Sequence, residues 1–498
     1  MTAWSIVCPM TGLMQLSEEM ARRFAGIPDG VLSPELPVCC TSAPGHIDVL
    51  GGLASEAGGV VAQMALPRRA AVALQWRSDG RVVLYSRRLL ERHHAAPLAF
   101  LARQLDAPAE PLTARSLAVM LEPQTVWAAP LLALIALMVR HPRCPAAGRH
   151  RQADGSLGGL TVVVQSDVPM GAAQGSSTAL LAALAQAISL ELNFPLNLLD
   201  KALLINQAES LFDLTYGSVV DALTALAALD GPPAHLLRFS AQPHELVGQI
   251  TLPPHVRIVA LDTGVHTTRR GETVRAIRMA GAMGLRIIET IYRDMGQTHT
   301  PLHGYLGNLA PSLYRRYFRT LLPRRMRGRD FLRSYGPWDN PDLPVHSEHF
   351  YRVRTAVDHL IAEHEHAENF LQAMEELSDA HRLGQPPGDP ALRLVLQRAG
   401  RLLLASQHSY RLRLNLSCPQ ADWMVDRLME SGPAAGIYGA CISQCGSGGS
   451  VVALVDAAGR AADVLLAVAR DYPHATGLPL RITAAGEQGS AGAAVQDG

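Results

Sequence analysis

The chain has 498 residues, 48% hydrophobic and 18% charged, with acidic and basic residues matched at 44 each. That length allows two or three structural units, and the composition excludes a disordered chain or a small stapled scaffold. A formal net charge of zero supplies no overall field toward nucleic acid or an anionic membrane.

The opening MTAWSIVCPMTGLMQLSEEM lacks a cationic segment followed by a sustained apolar run, and so does not read as a signal peptide. The seven cysteines (Cys8, Cys39, Cys40, Cys144, Cys418, Cys441 and Cys445) are odd in number and form no C-x-x-C pattern, which fits a reduced, cytoplasmic setting. Residues 37–49 and 70–86 carry β-branched and apolar runs, and Ser78-Asp79-Gly80 between VALQW and RVVLYS predicts a hairpin. The apolar window 126–139 is shorter than the roughly 18 to 20 residues of a membrane span and contains Pro130, so a buried helix over 123–140 is expected. A buried strand follows at GLTVVVQS (159–166), then a glycine and serine loop, then helices at 178–192 and 199–211. Beyond a boundary placed near Asp230 come strands at 236–239 and 256–262 and helices near 273–295, 349–377, 391–406 and 420–430. The end reads as strand 437–455, helix 458–472 and strand 479–484, with a frayed tail after residue 487.

The segment VPMGAAQGSSTALLAALAQA places small residues where a strand meets a helix. Backbone N–H groups of Gly175, Ser176, Ser177 and Thr178 can converge there on an anion, and a serine hydroxyl can reach Mg²⁺. A tight turn with an ordinary serine N-cap explains the same residues equally well. The Walker A triplet is absent, and Lys201 is the one lysine in the chain, so a phosphate site here does not follow the lysine-dependent loop pattern.

Two further segments, SAPGHIDVLGG (42–52) and IYGACISQCGSGGSVVAL (437–454), join the loop at 169–179 in an order and spacing that resemble the three motifs of GHMP kinases. The resemblance is strongest to the galactokinase branch, and within it to the kinase region of L-arabinokinases. VVAQMALPRRAAVALQ, WAAPLLALIALMV, LDTGVHTTRRG, GNLAPSLYRRY, FLRSYGPWDNP, QHSY and ATGLPLRI have counterparts there, so it spans residues 37–487. It implies an α+β, two-lobed fold with the active site between the lobes. The implied division is an N-terminal extension (1–36), an ATP-binding domain (37–230), a C-terminal domain (231–487) and a tail (488–498).

The resemblance further implies an ATP- and Mg²⁺-dependent kinase that phosphorylates a monosaccharide at the anomeric hydroxyl. Pro169, Gly171, Gly175, Ser176, Ser177 and Thr178 would bind nucleotide, and Ser177 with Glu209 would hold the metal. The spacing from Gln207-Ala208-Glu209 to Gly217-Ser218-Val219-Val220-Asp221 resembles that from the family's magnesium glutamate to its catalytic aspartate. Asp221 is therefore the implied base and His46, at the family's arginine position beside the sugar hydroxyl and the phosphates, a second implied catalytic residue, while Asp48, Ser55, Glu56, Gly217 and Asp221 would line the sugar side. Asp221 also lies in the apolar run VVDALTALAAL, where an unpaired carboxylate is costly to bury.

The chain departs from the family pattern at three places. His46 stands where the family has arginine, and it lacks the guanidinium fork and is only partly charged near neutral pH. Arg269 and Arg270 are candidates to supply that charge, against their ordinary reading as exposed ion-pairing residues. Ser55-Glu56 replaces an Asp-Tyr pair, and Gln444-Cys445-Gly446 replaces a triple glycine, which predicts a reshaped turn. Two other readings stand beside the sugar kinase: a kinase-like sensor that binds without turnover, and a kinase of the same family for an aminosugar, a cyclitol or another small alcohol.

Overall fold

The structure is a computed structural model. It describes residues 6–7, 23–24, 27–28, 30–86, 97–106, 112–118, 120–121, 127–145, 150–211, 218–229, 235–266, 270–297, 299–340, 343–457 and 459–485. The chain forms two compact units: residues 1–46, 68–170 and 175–231 make the first, and residues 47–67, 171–174 and 232–498 the second. Residues 47–67 and 171–174 group with the C-terminal half, so these units are not contiguous in sequence. The expected tail at 488–498 lies outside the described residues.

The first unit is built on a sheet. β1 (Ile6–Val7) pairs in parallel with β2 (Val38–Leu50), placing Ile6 opposite Val38. The strands β3 (Val60–Trp76), β4 (Arg81–Ser86), β5 (Leu98–Leu101) and β6 (Gly159–Ser166) continue it. β3 runs antiparallel to β6 with Ala70 opposite Ser166, β6 runs parallel to β4, and β4 pairs antiparallel with β5. The hairpin expected over 70–86 is therefore a correction, since β6 lies between β3 and β4. The turn residues serve that insertion: Arg77 N–H donates to the Gly159 carbonyl (3.0 Å) and Gly80 N–H to the Gly158 carbonyl (2.8 Å). Gly159, at φ +112°, leaves no room for a side chain, because a Cβ there would stand 2.4 Å from the Arg81 carbonyl oxygen.

The helices of this unit are α1 (Ala129–Val139), α2 (Ser176–Glu191), α3 (Leu198–Ser210) and α4 (Val219–Ala227), and they pack on one another. α1 is buried on nearly every side, as its unbroken apolar sequence requires. The alanines of α2 shorten the distance at which neighbouring helices meet, and Asn197 caps α3 by accepting from Asp200 N–H at 2.7 Å.

In the second unit β7 (His235–Ala241) and β8 (His244–Thr251) form a hairpin, and β7 also pairs with the start of β3, Val60 opposite Ser240. A second sheet follows the order β12 (Ile437–Ile442), β13 (Ser450–Asp456), β9 (Val256–Asp262), β14 (Arg481–Ala484). β10 (Met326–Arg327) and β11 (Phe350–Tyr351) make a small antiparallel pair. The single strand expected over 437–455 is thus two antiparallel strands joined by a turn. Helices α5 (Arg270–Asp294), α6 (Val353–Arg382), α7 (Pro390–His408), α8 (Pro419–Ser431) and α9 (Ala461–Thr476) complete the unit. Its core joins sheet and helices through Ile258, Ala260, Phe370, Met374, Leu396, Leu403, Val452 and Leu454. Among the described residues no helix is long and apolar enough to cross a membrane.

Candidate active site

In the first unit, α4 begins at a Ser-x-x-Asp capping box. Asp221 N–H donates to Ser218 Oγ at 3.3 Å, and Asp221 Oδ2 accepts from Ser218 N–H at 2.8 Å. This holds a carboxylate that is only 4% exposed in a fixed orientation, with Oδ1 turned to His46 Nε2 at 3.2 Å. His46 is fully buried on β2. A Cβ on Gly175 would fall 2.2 Å from His46 Cε1, and Gly175 has φ +67°. The glycine loop and the first motif therefore touch through a contact that no other residue type permits.

Gly175 is the N-cap of α2, and no side chain caps that helix. The expectation of an ordinary serine N-cap gives way to a glycine cap followed by the Ser176, Ser177 and Thr178 amides of the first turn, the arrangement that suits an anion. One turn along α2, Thr178 Oγ1 donates to Glu209 Oε1 at 2.9 Å. Glu209 is buried at the end of α3. Burial pushes its carboxyl up to about 7, the Thr178 hydroxyl pulls it down, Asp221 raises it further, and Ser177 and His46 lower it. Its Oε2 is buried and has no hydrogen-bond partner among the described residues. A buried, unpartnered carboxylate oxygen beside the Ser177 hydroxyl fits an oxygen-seeking divalent cation such as Mg²⁺.

The second unit holds the remaining motif residues. Gly171 (φ +75°) lies against His266, where a Cβ would be 2.7 Å from Nδ1. Gln174 Nε2 donates to Ser450 Oγ at 3.0 Å, and Ser450 Oγ donates to the Ala172 carbonyl at 2.7 Å, so this stretch of the loop is bonded to the third motif. Asp48 Oδ1 accepts from Gln63 Nε2, and the Asp48 carbonyl accepts from Ser443 Oγ at 2.9 Å. Gly52 lies on the third motif, where a Cβ would meet the Gln444 carbonyl oxygen at 2.6 Å. The reshaped turn is visible in the backbone: Gln444 itself takes φ +52°, followed by positive φ at Gly446, Ser447, Gly448 and Gly449. Ser55 Oγ donates to the Gly52 carbonyl at 2.7 Å, and Glu56 pairs with Arg278 at 2.7 Å.

Pro169 is buried at the end of the β6 connection. Gly217, Arg269 and the Arg270 side chain lie outside the described residues. Sequence reasoning missed the Asp48–Gln63 bond, for which no local pattern exists. It also missed the Ser218 capping box, although Ser-x-x-Asp at 218–221 carries the signal.

The GHMP kinases N terminal domain matches residues 141–228, which hold the loop, Glu209 and Asp221, and GHMP kinases C terminal matches residues 391–474, which hold the third motif. Over both of these stretches the chain is similar to the GHMP kinases. Within that family its likeness is to the galactokinase-like branch. L-arabinokinase of Arabidopsis thaliana is 24% identical over 522 residues, covering 92% of this chain and 46% of the relative. The chain thus spans about half the length of the curated relative it matches. Among solved structures, Lactococcus lactis galactokinase complexed with galactose superposes with TM-score 0.64 at 16% identity, covering 95% of this chain and 98% of the other. Methanococcus jannaschii mevalonate kinase gives TM-score 0.49 at 12% identity, covering 93% and 100%.

Proposed function

We propose that this protein transfers the γ-phosphoryl group of ATP to a monosaccharide, at the anomeric C1 hydroxyl. The observation that carries the reading is the buried carboxylate of Asp221, fixed by its cap and by His46, beside the glycine-capped start of α2 and the Thr178–Glu209 pair. The likeness to an L-arabinokinase, and in fold to a galactokinase solved with galactose, supports a sugar as the acceptor.

In this reading the amides of Gly175 to Thr178 and the dipole of α2 bind the nucleotide phosphates, with Pro169 and Gly171 shaping the approach. Ser177 and Glu209 would hold Mg²⁺, which when bound spreads the negative charge of the phosphates. Asp221 Oδ1 accepts the proton of the sugar hydroxyl as the hydroxyl oxygen forms its bond to the γ-phosphorus. The bond from that phosphorus to the β–γ bridging oxygen breaks, and ADP leaves with the electron pair. His46 orients Asp221 through the Nε2 contact. The family resemblance assigns Asp48, Ser55, Glu56 and Gly217 to sugar recognition.

The test is a screen of aldoses, aminosugars and cyclitols for acceptor-dependent ADP release by the purified chain with ATP and Mg²⁺. The reading predicts release with at least one aldose. Release only with a non-sugar alcohol removes the acceptor class, and ATP binding without release from any acceptor favours the sensor.

A further inference from the structure

Within the second unit, a cleft of about 510 Å³ opens between α6, the end of α7 and two π-helical turns, Tyr314–Phe318 and Ser409–Leu414. Ligand pockets run from roughly 300 to 1,000 Å³, and π-turns are rare and concentrate at functional sites. Both π-turns among the described residues supply lining to this one cleft, through Tyr314 and Arg315 and through Ser409 and Arg413.

The floor is polar and buried. His359 is fully buried, its Nδ1 lies 2.9 Å from Ser409 Oγ, and its Nε2 has no hydrogen-bond partner among the described residues. Glu363, only 2% exposed, uses Oε1 twice, accepting from Gly51 N–H at 3.2 Å and from Ser406 Oγ at 2.9 Å. Its Oε2 makes no hydrogen bond among the described residues and faces His366 Nδ1 at 3.8 Å. Such buried atoms are costly unless something completes them.

The charges on the walls are already matched. Arg315 is bidentate to Glu365 at 2.9 and 3.2 Å, and Arg319 is bidentate to Asp358 at 2.8 and 2.9 Å. Arg413 is exposed at the rim and has no ion-pair partner among the described residues. The cleft therefore presents an acceptor in its floor and a planar cationic fork at its mouth.

We propose that this cleft is a second binding site, for a small polyol carrying a phosphate or carboxylate, whose hydroxyls bond Glu363 Oε2 and His359 Nε2 while its anionic group is held by Arg413. The floor is wired to the motifs. Glu363 holds Gly51 of the first motif, and Tyr410, edge-on to His359 at 5.0 Å, donates to the Gln444 carbonyl of the third at 2.7 Å. A ligand here biases both turns, which makes the site regulatory.

The test is calorimetric titration of the whole chain with glycerol 3-phosphate and with glycerate, alongside glycerol and inorganic phosphate as incomplete probes. It needs no turnover, so its outcome is independent of the phosphotransfer reading. Glycerol 3-phosphate or glycerate should bind with Kd below about 1 mM, with glycerol and phosphate weaker by roughly 10-fold or more. Whichever anion binds identifies the source. Arg413→Ala, at an exposed position that leaves the core untouched, should weaken binding by about 10-fold, and Glu363→Gln by a similar factor. Absence of binding by both complete probes up to about 10 mM, or wild-type affinity in Arg413→Ala, overturns the proposal.

Discussion

A methyl group added at residue 175 has nowhere to go. Its Cβ would lie 2.2 Å from the imidazole of His46, on a backbone at φ +67° that side chains disfavour. Gly175→Ala is expected to cost on the order of 3 kcal/mol, read as a lowered urea midpoint, and to weaken ATP binding where the protein stays folded. His359 makes a second residue-scale case. Burial is the main cause that drives its imidazole down from 6.5 to about 4, opposed by Glu363 and assisted by His366 and Arg413. Below 6.5 the unfolded chain takes up a proton that the folded one refuses, so this contribution is complete above that pH and is lost as pH falls toward 4. It amounts to on the order of 3 kcal/mol. Urea midpoints measured from pH 7 to 4 should fall less steeply for His359→Gln than for the wild type; parallel curves would contradict the assignment. Neither residue's environment was legible in the sequence. His46 was readable as a departure from a motif, but not as the neighbour of Asp221, because that contact joins residues 175 positions apart.

At the scale of elements, strands and helices with strong periodicity were legible: β6 and β9 fall on the residues read from their β-branched runs, and α2, α3, α7 and α8 lie within a few residues of expectation. Pairing was not. Ser78-Asp79-Gly80 is a good turn, yet a turn fixes only the local reversal of the chain, and β6 supplies the partner that both flanking strands bond. The π-helical turns carry no signal of the kind that hydrophobic period gives, since one extra residue per turn leaves the pattern on either side intact. Close contacts between elements also escape sequence reading. Gly400 on α7 lies on β12, where an added Cβ would be 1.9 Å from the Tyr438 carbonyl oxygen, and Gly439 answers it at 2.2 Å from the Gly400 carbonyl oxygen. Gly400→Ala must push helix from strand, an overpacking expected to cost roughly 2 to 3 kcal/mol and to lower the melting temperature. A melting curve unchanged from the wild type would show that the helix does not rest on that strand.

For the whole molecule, three short motifs far apart in sequence suggested one fold, and the family matches over 141–228 and 391–474 bear that out. What the motifs concealed is how the chain is shared out. β2 and β3 are 13 and 17 residues long, or about 45 and 55 Å, and each contributes to both compact units. The first motif is consequently divided, His46 to one unit and Asp48 to the other, as is the glycine loop after Met170. A reading that cuts the chain once, near residue 230, has no means of seeing this. The first unit alone gathers Asp221, His46, Gly175, Thr178 and Glu209, and the account stands on that grouping. The most direct test follows labelled γ-phosphate from ATP to a monosaccharide in the wild type and in Asp221→Asn under the same conditions. The account predicts a labelled sugar phosphate from the wild type, a rate lower by roughly 10² to 10⁴ in the variant, and ATP affinity that is little changed. Equal rates in the two proteins, or a wild type that labels no sugar, would contradict it.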